Sequence, residues 1–110
     1  MPEISKKCLE QAHDWVAVLQ EIGVLQYFQA HDKVSEASNS ITEVEHLLRA
    51  GIKNGKFGDE ARELLNRVSG LWKMEIGEAF ANLDVADEIE AQEQLAIKAL
   101  ANSIVKCECK

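Results

Sequence analysis

The sequence predicts an all-α protein folded as an up-and-down four-helix bundle, and three observations lead there. Apolar residues recur at spacings of three and four through most of the chain, which marks helical faces. Val, Ile and Thr are scattered rather than alternating with polar residues, so no strand is indicated. Breakers are rare: the only proline is Pro2 and there are six glycines in 110 residues. Turns this short leave no room for crossover connections, so sequential helices pair as antiparallel neighbours in one domain over residues 1–110.

The first helix is expected from about residue 3 to 28. Ile4, Cys8, Ala12, Trp15, Leu19, Ile22 and Leu25 make its main face. A second stripe of Leu9, Val16, Val24 and Tyr27 lies beside or behind it. The second helix is expected over about 33–53, where Val34, Ala37, Ile41, Val44 and Leu48 keep one face. Its start is ambiguous. Ser40 and Glu43 have capping-box spacing, which would leave 29–40 as a long loop. Asn54-Gly55 supplies a left-handed stop. The third helix, about 60–81, is expected to be capped by Asp59 and to bury Ala61, Leu64, Leu65, Val68, Leu71, Trp72, Ile76 and Ala79. The fourth, about 85–106, is expected to be capped by Asp84 and to use Ala86, Ile89, Ala96, Ile97, Leu100 and Ile104. The expected core therefore includes Trp15, Leu19, Ile22, Val44, Leu48, Val68, Trp72, Leu100 and Ile104.

Composition narrows the function classes. No apolar run approaches ~18 residues, so a membrane-spanning helix is excluded, and no signal peptide is visible at the N-terminus. Net charge is −7. Residues 1–29 carry −2, 30–56 zero, 57–81 −2 and 82–110 −3. No segment is basic, which argues against direct nucleic-acid binding. Three cysteines, Cys8, Cys107 and Cys109, are too few for a disulfide framework and point to a reducing, cytoplasmic home. Cys107-Glu108-Cys109 offers two soft ligands, and two thiolates alone do not complete a zinc site. The tail reads as frayed, with Cys8 an inert buried thiol.

Two Glu-x-x-His pairs occur, Glu10…His13 and Glu43…His46. Di-iron bundles need such pairs turned inward, and both lie off the apolar faces here, so they read as solvated. The stretch His46 to Gly51 resembles histidine phosphotransfer domains, whose exposed histidine lies near a cation, here Arg49. The competing reading is a plain surface histidine.

The acidic residues of helices three and four carry a sharper signal. Glu75 and Glu93 are expected at mid-face, on one level of the bundle, where a carboxylate is costly unless paired or metal-bound. Each belongs to a Glu-x-x-Glu pair, Glu75…Glu78 and Glu90…Glu93. The segment Glu75-Ile76-Gly77-Glu78-Ala79-Phe80 resembles the MazG-like all-α nucleotide pyrophosphohydrolases. That resemblance implies Mg²⁺ held by Glu75, Glu78, Glu90 and Glu93. The chain departs from the family at Met74, where a second glutamate is usual, and at Glu93, where aspartate is usual. Without a metal, Glu75 and Glu93 would reach cations such as Arg67 or Lys98.

No glycine-rich phosphate loop is present, and no nucleophile–base pairing can be inferred. The reading therefore leans away from an enzyme. It favours a small cytoplasmic helical protein acting by protein–protein interaction, as an accessory, adaptor or inhibitor, with no cofactor. Its expected partners are itself, as a homodimer through Leu9, Val16, Val24 and Tyr27, and a further protein, with neither nucleic acid nor membrane. The alternatives are a Mg²⁺-dependent MazG-like pyrophosphohydrolase and an acidic, phage-type inhibitor of a nucleic-acid-binding protein.

Overall fold

The first half of the chain builds an antiparallel pair of long helices, α1 (Lys6–Ala30) and α2 (Val34–Lys53). A shorter helix, α3 (Asp59–Gly70), runs directly into a 3₁₀ turn at Leu71–Lys73. The last helix, α4, covers Leu83–Val105. These statements come from a computed structural model that describes residues 6–73 and 83–105. Each helix packs on its sequence neighbours and α4 returns to α1, which closes a four-helix bundle. No strand occurs among the described residues. No helix among them is long and apolar enough to cross a membrane.

The core follows from the spacing. Trp15, Val18, Ile22 and Leu25 of α1 meet Ala37, Ile41, Val44 and Leu48 of α2. Ala61, Leu64, Val68 and Leu71 come from the third element, and Val85, Ile89, Ala96 and Ala99 from α4. These residues are nearly all at or close to zero exposure, and such burial is the main driving force for folding.

Each turn has a local cause. The first is three residues long. Asp32 sits at φ 53°, a left-handed conformation that Asp adopts more readily than most residues. Lys33 N–H then donates to the Phe28 carbonyl at 2.8 Å. The segment 29–40 is therefore not a long loop, and helix resumes at Val34 with no side-chain cap. Ser40 is buried inside α2 rather than capping it. Helix α2 stops at Asn54, its C-cap, and the second turn passes through Gly55 at φ 73°, as the dipeptide predicts. The peptide N–H groups of Lys56 and Phe57 both donate to the Gly51 carbonyl, at 2.9 and 3.1 Å. This folds Phe57 back until its ring stacks on Trp15, centroids 4.2 Å apart. A Cβ on residue 51 would overlap that ring, so the close approach requires glycine.

Several side chains differ from expectation. Gly58 is the N-cap of α3 and Asp59 its first residue. Asp84 lies one residue inside α4, in its first turn. Trp72 is 43% exposed and Ile104 53% exposed, while Leu19 and Leu100 are half-buried. Trp72 is displaced because α3 tightens to 3₁₀ geometry after Gly70, and three residues per turn rotates it off the buried stripe. Ile76 and Ala79 lie outside the described residues.

Candidate interaction surface

The residues of α1 left over from the core stand in solvent. Leu9 is 56% exposed, Val16 39%, Val24 40% and Tyr27 54%. At ~100° per residue they occupy an arc of the helix roughly opposite Trp15, Ile22 and Leu25. His13 and Gln20 complete the stripe, both exposed. Near its end the Tyr27 ring packs on His31, centroids 4.3 Å apart. His31 Nδ1 donates to the Tyr27 carbonyl at 2.8 Å.

Acidic residues keep off this face. Glu10 and Asp14 turn towards the α2–α3 turn, where Lys56 Nζ lies 3.9 and 3.3 Å from their carboxylates. Gln11 Nε2 donates to the Lys56 carbonyl beside them. Glu21 lines a shallow groove on the α2 side together with Glu36 and Glu43. In a chain of net charge −7, the outward stripe of α1 itself carries no carboxylate, although Val24 at its edge lines the same groove as these three acids.

The acidic candidates fall elsewhere. Glu90 is exposed and Glu93 half-buried on α4; Glu75 and Glu78 lie outside the described residues. The mid-face position of α4 belongs to Gln92, which is fully buried. Glu93 is one residue, ~100°, away from it. Among the described residues no three His, Cys, Asp or Glu side chains are grouped to hold a metal ion. Glu10, His13, Glu43 and His46 are all exposed.

Two polar networks tie the third element to its neighbours, and the sequence gives little warning of either. Glu45 is 7% exposed and accepts from Ser69 Oγ at 2.7 Å and Trp72 Nε1 at 3.1 Å. Arg49 lies 3.5 Å from the same carboxylate. Between α3 and α4, Arg67 forms a two-pronged pair with Glu88, at 3.0 and 3.2 Å. Hydrogen bonding to Glu88 raises the Arg67 pKa, against a smaller opposing effect of burial. Gln92 Nε2 joins this pair, donating to Glu88 Oε2 at 2.9 Å and to the Arg67 carbonyl at 3.2 Å. Gln92 Oε1 is buried with no hydrogen-bond partner among the described residues. Arg67 thus serves Glu88, not Glu93. Both networks join helices.

Cys8 is buried and disulfide-bonded, unlike the inert thiol that the cysteine count suggests. Cys107 and Cys109 lie outside the described residues. A cleft of about 280 Å³ separates Gln11 and Trp15 of α1 from Ala99, Asn102 and Ser103 of α4. Comparison with protein-family models, with curated proteins and with solved structures gives no match.

Proposed function

We propose that this chain is a protein-interaction module that self-associates through the outward face of α1. It would act as an accessory, adaptor or inhibitor rather than as an enzyme. The carrying observation is the line Leu9, Val16, Val24 and Tyr27, exposed together on one helix whose acidic residues are turned aside. Large apolar residues aligned on a surface form the kind of patch that monomers generally avoid. A two-fold axis lets one such surface cover its own copy. Tyr27 suits an interface, since its ring is apolar while its hydroxyl stays wet. The disulfide at Cys8 argues against a reducing compartment, where such bonds are rare.

Sedimentation equilibrium at tens of micromolar tests the reading on wild type and Val16→Glu. Wild type is expected as a dimer. The variant is expected as a monomer with unchanged helical circular dichroism, because residue 16 is already exposed and tolerates a charge in the folded monomer. A wild-type monomer, or a variant that stays dimeric, would count against it.

A further inference from the structure

The stripe on α1 has a neighbour. Two side chains fix how α4 is turned: the half-buried Glu88 and the buried Gln92 bond to Arg67, so that flank of α4 faces α3. Ile97 and Ile104 project from the other flank, beside α1, and are 43% and 53% exposed. The shared cleft sets the level, with Gln11 and Trp15 opposite Ala99, Asn102 and Ser103. Equal rise along the two antiparallel helices then places Val16 level with Ile97, and Leu9 level with Ile104. By the same count Gln20 is level with Gln94, and Tyr27 with Asp87. The exposed apolar surface is therefore two helices wide at one end of the bundle.

We infer that the surface covering α1 is α4 of a second copy of this chain, and that the reverse contact forms at the same time. This rests on the self-association proposed above and specifies its geometry. A two-fold axis running parallel to the helices, within the interface, lays the partner's α4 over α1. The pairing is antiparallel, as it is within one chain, and α1, α4 and their two copies close a second four-helix ring.

Two features favour this arrangement over α1 packing on α1. The first is apolar matching. Leu9 and Val16 meet Ile104 and Ile97 of the partner subunit, whereas an α1–α1 seam leaves both isoleucines exposed. The second is area. One helix face from Leu9 to Tyr27 is ~27 Å long and ~10 Å wide. Two helices double that footprint to about 500 Å² in projection, which approaches the ~800 Å² of accessible surface that a stable partner buries.

A charge-complementation experiment tests the geometry with full-length chains. Val16→Glu and Ile97→Lys are each expected to weaken dimerisation by at least ~10-fold in sedimentation equilibrium, with helicity unchanged. Mixed one to one, they are expected to recover a dimer. The mixed pair has one seam joining Glu to Lys and one seam of wild-type Val16 and Ile97. If Ile97→Lys dimerises like wild type while Val16→Glu does not, α1 pairs with itself and the inference is overturned while self-association stands. If both variants dissociate singly and the mixture stays monomeric, the α1–α4 pairing is overturned. A monomeric wild type removes the self-association reading itself.

Discussion

Replacing Gln92 with glutamate should cost about 3–5 kcal/mol at pH 7, the loss expected when a buried charge is left uncompensated. The geometry sets the sign. Gln92 Nε2 donates to two acceptors, Glu88 Oε2 and the Arg67 carbonyl. A carboxylate oxygen in its place would present a third acceptor to both. Arg67 cannot relieve this easily, because its nearest donors already grip Glu88. A protonated glutamic acid could donate as the amide does, so the folded state should hold that proton well above the ordinary glutamate pKa of ~4.3. A raised folded-state pKa means that the folded chain keeps a proton the unfolded chain releases. The destabilisation is then absent below about pH 4, grows as pH rises, and levels off above the folded-state pKa. Urea unfolding of variant and wild type from pH 4 to 8 checks both size and slope. A pH-independent difference, or one under ~1 kcal/mol at pH 7, would mean that residue 92 reaches water. The control is Glu93→Gln, one residue along on the half-buried rim, where a change within ~0.5 kcal/mol is expected.

Leu48→Ala should cost about 2–5 kcal/mol. Leu48 is fully buried in the central cluster with Val44, Ile41 and residues of every other helix. Truncation loses the transfer free energy of the removed carbons and leaves a cavity that helices fixed by their neighbours only partly fill. The midpoint of urea unfolding should fall with its slope unchanged. A loss below ~0.5 kcal/mol would place the side chain at the surface.

How much of this was legible in the residues varied by element. The bundle and the apolar faces of α1 and α2 follow from spacing alone, because a long helix repeats its signal over many turns. The exposed stripe on α1 was legible as a surplus: helix one carries more large apolar residues than one core face uses. Ser40 and Glu43 misled because capping-box spacing is also what any buried Ser and exposed Glu three apart display inside a helix. The real entry to α2 depends on Asp32 accepting positive φ, which the sequence permits without requiring. Helix α4 is apolar over a broad arc through Ile89, Leu95, Ala96, Ile97 and Leu100, so the centre of its buried face could not be fixed from the wheel. The small residues Ala96 and Ala99 turn inward and bring Gln92 with them, leaving Ile97 and Ile104 outside. Glu45 is a tertiary feature: it reads as a solvated acid until Ser69 and Trp72 arrive from another element.

The helices are unequal, and that has a consequence in time. α1, α2 and α4 have 25, 20 and 23 residues, and α3 has 12. Within α3 only Ala61, Leu64 and Val68 are buried, and much of its hold on the bundle is the pair of polar networks at Glu45 and Arg67. Segments with few buried apolar contacts open at lower free energy than the whole molecule. Native-state hydrogen exchange should therefore find amides of α3 exchanging through a partial opening, while those in the middle of α1 exchange only with global unfolding. The α3 helix lies diagonally across the bundle from α1. The α1 half of a docking face would then keep its shape while the far side of the molecule opens and recloses, whereas the α4 half, held in rotation by Arg67, would loosen with α3.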